Sequence, residues 1–263
     1  MKSKTPSQPR GKTGPDATRS AARPRRADAV APVAVPSRAT SAREVDAAPG
    51  GRATYRHGDL RRALLEAGIA LARSGGPSAV VLREATRRAG VVPNAAYRHF
   101  AGHAALFAAV RTAALAGVAR AMADEIAALP TLPAEPTQAE VVAQARACVR
   151  AVGTGYLRFA LAETGLFRTA FAPLTPDEAA AAVPAATLPD DAPHPFRLLG
   201  AALDRLMEAG ALPPSRRMGA EFLAWSSVHG MALLLLDGPL QSTRGDAAQA
   251  LGQRLLDMVE RGL

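Results

Sequence analysis

Cysteine, lysine and aromatic residues are scarce in this chain of 263 residues, and each scarcity excludes something. One cysteine, Cys148, leaves no intrachain disulfide, so a reducing compartment is expected, the cytoplasm. His57, His99, His103 and His194 show no ligand spacing with His229, so no metal centre is expected. No glycine-rich phosphate loop, nucleophile–base arrangement or paired carboxylates stand at a recognisable motif, which argues against an enzyme and against a bound cofactor. The most apolar run, Met231 to Leu236, is far too short to cross a bilayer, and no membrane partner is expected. The N-terminal segment has basic residues but lacks the apolar stretch of a secretory signal.

The first 54 residues have no Leu, Ile, Phe or Trp and carry seven prolines. Such a segment cannot bury enough apolar area to offset its ordering entropy, so residues 1–54 are expected to form a disordered basic tail. Charge is loaded toward the same end. Residues 1–54 carry +7, residues 55–103 carry +5, and the remainder carries −3. That asymmetry points to a polyanionic partner; a basic tail that only aids solubility is the plain alternative.

From Tyr55 onward the sequence reads as helices. Ala, Leu and Arg dominate and β-branched runs are scarce. The spacing predicts helices over about Asp59–Arg73, Leu82–Ala89, Pro93–His99 and His103–Ala128, with Asp59 as a first N-cap. Val141, Ala145, Cys148, Val152, Tyr156 and Phe159 form a further helical stripe, with Gly153 and Gly155 as places for a bend. A short helix is expected over Leu166–Phe171, an irregular connection over Thr175–Pro195, then helices over Phe196–Ala209, Arg216–Leu236 and Asp246–Glu260. The expected fold is all-α: an N-terminal three-helix unit over residues 55–117, and a helical bundle over residues 118–263.

The stretch Leu82 to Leu106 is the most informative. Two short helices meet at Gly90-Val91-Val92, and Gly90 can take the positive φ that a sharp turn requires. The second helix of such a unit enters the major groove of DNA. Pro93 suits a first-turn position. Asn94, Ala95 and Ala96 leave room near base edges, where Asn can pair with adenine and Ala can touch the thymine methyl. Arg83, Tyr97, Arg98 and His99 are candidate phosphate contacts, and Phe100 a core residue.

The pattern RE-x-x-RRAGV-x-P-x-A-x-YRHF, Arg83 to Phe100, resembles the tetracycline-repressor (TetR) family of bacterial transcriptional regulators. Tyr55 to Arg61 resembles the opening of one subgroup, and Trp225-Ser226-Ser227-Val228-His229-Gly230 resembles the W-x-x-x-H-G signature of one C-terminal domain type. The resemblance implies a sequence-specific dimeric repressor, released from a palindromic operator in double-stranded DNA by a small-molecule effector. It places Tyr156, Phe159, Phe167, Phe171, Trp225 and His229 near an effector site. The same aromatic stripe also reads as core. Val81 and Val92 stand where the family usually has capping Ser or Thr, and His103 where it usually has Lys. These departures imply fewer phosphate contacts, His103 being the position expected to make one. The last two helices are the expected homodimer contact, with Ala247, Leu251, Leu255 and Met258 as a seam. The alternative to a specific regulator is a sequence-independent architectural DNA-binding protein that relies on the tail.

Overall fold

The chain alternates long helices, which build a bundle, with short ones, which present residues at its ends. A computed structural model describes residues 57–184, 187, 189 and 192–263, with side chains from Leu60 onward. The expected tail and the Tyr55–Arg56 opening lie outside the described residues. The described residues form eleven α-helices and no strand. They are α1 His57–Gly75, α2 Leu82–Arg88, α3 Pro93–Ala96, α4 His103–Ala127, α5 Gln138–Ala162, α6 Thr164–Ala170, α7 Pro176–Ala181, α8 Pro195–Glu208, α9 Pro214–Arg217, α10 Ala220–Leu236 and α11 Gly245–Gly262.

Helix α1 starts at His57, two residues before the expected cap at Asp59, whose side chain lies outside the described residues. It buries Leu60, Leu64, Ala67 and Leu71 against the following helices, at the i, i+4, i+7 and i+11 positions of one face. Its chain reverses at Gly76, with φ 71° and a bond from Gly76 N–H to the Ala72 carbonyl. Helix α5 opens on a capping box in which Thr137 and Glu140 satisfy each other's backbone N–H.

The hub is α4, which packs against α1, α5, α6, α7 and α8. By length and composition alone α4 would suffice to cross a membrane. Here Leu106, Phe107, Val110, Ala114, Val118 and Met122 are buried against neighbouring helices. The boundary expected between residues 117 and 118 falls inside this unbroken helix, so α4 is shared by both halves of the described chain.

Helix α5 runs unbroken through Gly153 and Gly155, where neighbours close in. A Cβ on Gly155 would stand 2.6 Å from the Cα of Met122 on α4, and one on Gly153 would strike Leu256 on α11. The connection expected over Thr175–Pro195 contains α7, nucleated by a second capping box from Thr175 and Glu178. The helix expected over Arg216–Leu236 is two, because Gly219 takes the left-handed conformation with φ 81° between α9 and α10.

Gly155→Ala tests the crossing of α4 and α5. The added methyl meets backbone, which cannot rotate away, so we expect a loss of about 1–3 kcal/mol in chemical denaturation. Gly200→Ala on α8, whose Cβ would meet only the Glu221 carboxylate at 3.9 Å, should leave stability unchanged or slightly raised.

Candidate DNA interface and effector cleft

Helices α2 and α3 form the helix-turn-helix. Helix α2 ends with Gly90 N–H bonded to the Arg87 carbonyl and Val91 N–H to the Thr86 carbonyl, the paired bonds of a Schellman turn. Gly90 has φ 68°, as the turn requires. Helix α3 is shorter than expected: it spans Pro93–Ala96, and residues 97–99 continue as a tight turn in which His99 and Phe100 N–H both bond the Ala96 carbonyl.

Pro93, Asn94, Tyr97 and Arg98 are exposed on this unit, as is Arg83 at the start of α2. Ala95 and His99 are half-buried. Ala96 is 0% exposed, so it cannot reach a base edge; it anchors α3 to the core beside Phe100. Tyr97 is 59% exposed and projects away from that core. Neither Val81 nor Val92 makes a side-chain cap bond, and Val92 is 68% exposed at the N-terminus of α3. Arg87 and Arg88 are both tied to Glu84, whose carboxyl their hydrogen bonds hold down to a pKa of about 2. They line a solvated face of α2. The Arg61 guanidinium, 5.1 Å above the Phe100 ring, adds a cation beside α3 that sequence spacing did not single out.

His103 is placed differently from expectation. Its Nδ1 lies 3.7 Å from the Glu178 carboxylate of α7, and its ring stacks on Phe107. A neighbouring carboxylate repels phosphate, so His103 is a weaker candidate for a backbone contact and a stronger one for a link between α4 and α7.

In the C-terminal half, five of the six expected effector residues gather. Tyr156 packs edge-on to Phe167 and Trp225 at ring separations of 5.4 and 5.2 Å, and Phe171 and His229 complete the group. The Tyr156 hydroxyl and His229 Nδ1 are 2.7 Å apart. Burial raises the Tyr156 pKa and lowers that of His229, so a neutral phenol meets a neutral imidazole, and the imidazole tautomer sets which of them donates. Tyr156 and Phe167 are fully enclosed and act as core. Phe159 does not join them; its ring lies against Gly117 of α4, where a Cβ would be 3.0 Å away.

Open space lies beside this cluster. A cleft of about 480 Å³ is bordered by Phe171 and Trp225 from the cluster, by Arg111, Thr112 and Leu115 of α4, and by His194 and Phe196 at the start of α8. Phe196, 5.7 Å from Trp225, and Arg111 were not expected here. In the sequence Phe196 stands only as the start of an expected helix, and Arg111 lies within the long helix expected over His103–Ala128.

Residues 64–110 match bacterial regulatory proteins of the tetR family, and residues 149–259 match the tetracyclin repressor-like C-terminal domain. Among solved structures, a protein of unknown function from Rhodococcus sp. RHA1 is 22% identical and superposes with a TM-score of 0.60, over 81% of this chain and 99% of that one. A TetR transcriptional regulator from Streptomyces coelicolor is 23% identical with a TM-score of 0.38, over 77% and 97% of the two chains. No functionally curated protein matches the sequence. The all-helical architecture, the helix-turn-helix and the two matched domains agree, and the chain belongs to the TetR family of DNA-binding transcriptional regulators.

Proposed function

We propose that the protein is a homodimeric repressor that leaves a palindromic operator when a small molecule enters the cleft beside Phe171 and Trp225. The observation that carries this reading is the position of α4. One unbroken helix starts at the DNA-binding unit and forms a wall of that cleft. An effector that prefers one placement of α4 lowers DNA affinity by that preference.

Dimerisation is supported by the outer faces of α10 and α11. Leu223 is 67% exposed, and Leu233 and Leu234 follow it along α10 with Ser226 and Gly230 between them. On α11, Ala247 and Met258 are exposed and Leu251 and Leu255 half-buried, while Ala248, Leu256 and Val259 face inward. Two adjacent helices with apolar outer faces are an association surface, and four such helices across a two-fold axis bury both. A dimer also presents two copies of α3 to successive major grooves, which a palindrome requires. In this reading Asn94 and Ala95 face base edges, and Arg83, Pro93, Tyr97, Arg98 and His99 hold the DNA backbone with Arg61. The site of action is the chromosome, in the cytoplasm, and the role is regulatory rather than enzymatic.

Selection of random duplex DNA by the full chain near physiological salt tests the reading. The expected result is a palindrome with two equivalent half-sites. Recovery of sequences without a consensus, with affinity falling steeply in salt, would instead support an architectural protein that binds through its basic tail.

Val92→Thr is a second test. It restores a hydroxyl at the N-cap of α3 without changing side-chain shape, and the extended backbone there, φ −72° and ψ 141°, already suits a cap. Thermal denaturation should show a gain of about 0.5–1 kcal/mol, with tighter operator binding by about two- to tenfold if the hydroxyl also meets a phosphate.

A further inference from the structure

The cleft beside Phe171 and Trp225 is apolar over most of its wall, yet two polar atoms there have no hydrogen-bond partner. They are Arg111 Nε and His194 Nδ1, both shielded from solvent. The contrast with other arginines of the bundle is informative. Arg150 is paired with Asp257 and Glu260, and Arg217 with Asp204 and Glu221. Among the described residues no carboxylate lies within ion-pair distance of Arg111.

A guanidinium stays charged in a protein. Arg111 is half-buried at the cleft wall, and its shielded Nε lacks the hydrogen-bond partner that a ligand in the cleft can supply. Leu115, Phe171, Phe196 and Trp225 offer an apolar body-binding surface next to that charge. The volume, about 480 Å³, is that of a small-molecule site.

Building on the effector reading above, we infer that the cleft binds a monoanionic amphiphile, a carboxylate on an aliphatic or aromatic body, with Arg111 and His194 holding the carboxylate. A planar guanidinium matches a carboxylate in a two-bond fork. His194 with its proton on Nδ1 donates a further bond. Burial and the nearby positive charges of Arg197 and Arg111 hold the His194 pKa down, so it is neutral near pH 7 and the wall carries one uncompensated charge from Arg111. One negative charge balances it, whereas a doubly charged phosphate ester would be left with an excess in an apolar site.

The chain carries its own reporter, because its one tryptophan, Trp225, lines the cleft. Decanoate and 4-phenylbutyrate should be titrated against the full chain by calorimetry and Trp225 fluorescence, beside decanol, 4-phenylbutyramide and decyl phosphate. The expected result is binding of at least one carboxylate about tenfold or more tighter than its neutral analogue, with a change in Trp225 emission. Arg111→Met should remove that preference and leave the neutral analogue unaffected; Arg111→Lys should retain part of it. Because Arg111→Met removes an unpaired charge and no partner, the unliganded variant should unfold at a temperature no lower than the parent chain. Were that variant to misfold, the acid-to-neutral comparison on the parent chain still decides. Equal affinity for acid and neutral forms, preference for the phosphate, no binding of either acid, or acid binding unchanged in a folded Arg111→Met overturns the inference. Operator release is measured separately. A carboxylate that binds but leaves DNA affinity unchanged sinks the effector reading and keeps the site. Release by some other small molecule, without carboxylate binding, does the reverse.

Discussion

At Gly155 no side chain stands between α5 and α4, and the two backbones touch at Ala121 and Met122. The rest of the described structure depends on that approach. It fixes the C-terminal half of α4 on the bundle, and Phe159 against Gly117 fixes the turn before it. Helix α4 is thereby held on the bundle and runs unbroken to the helix-turn-helix. Arg111 lies eight residues from His103, which is about 12 Å along a helix. In the proposed reading, a displacement of α4 at the cleft moves the end that carries the DNA-binding unit.

Two further contacts join the same regions. Gly165 at the start of α6 lies so close to the end of α1 that a Cβ there would strike the carbonyl oxygens of Ala72 and Arg73. Arg73 also bonds Glu163 across this junction at 2.8 Å. Helix α6 leads to Phe171, at the cleft. The other contact is Glu178, which closes the capping box of α7 with one carboxylate oxygen and faces His103 with the other. Ala182 and Val183, just past α7, line the cleft. Proximity alone does not make these contacts a coupling route; each would need two discrete arrangements that ligand and DNA bias in opposite directions. The exposed Arg73–Glu163 pair contributes little stability, whereas the close approach at Gly165 leaves no room for a side chain between α1 and α6.

Much of this was legible in the sequence, and for identifiable reasons. The turn at Gly90 was readable because its positive φ restricts the residue to glycine. The α5 stripe was readable because apolar spacing follows from which face is buried. Helix α7 was missed although Thr175-Pro176-Asp177-Glu178 is a capping box in plain view; the Ala- and Pro-rich composition around it outweighed a four-residue signal. Gly153 and Gly155 read in the sequence only as places for a bend, since a sequence shows the missing side chain but not the neighbour that occupies its place. Ala96 was assigned to DNA because a small residue suits both close approach to a base and close packing against a core. Arg111 was passed over because nothing along one dimension distinguishes an arginine that lacks a partner from one that has it. Its significance comes from what is absent around it in space.

That absence also bears on how a switch of this kind can work. An effector shifts a conformational equilibrium only by the difference in its affinity for the two states, and allosteric couplings are commonly about 1–3 kcal/mol. Burying apolar area in a cleft that changes little between states contributes almost equally to both. A charge-assisted hydrogen bond contributes about 1.5–3 kcal/mol, and its geometry is demanding, so it can be made well in one state and poorly in the other. The position of Arg111 on α4 therefore matters more than its charge alone. A carboxylate that pulls on Arg111 acts on the helix that carries the DNA-binding unit. The same carboxylate held only from α8, by His194, would bind without that leverage. On this physical ground the aromatic wall and Arg111 would both contribute to the affinity for a ligand of the proposed class, and the share from Arg111 is the one that can differ between the two states.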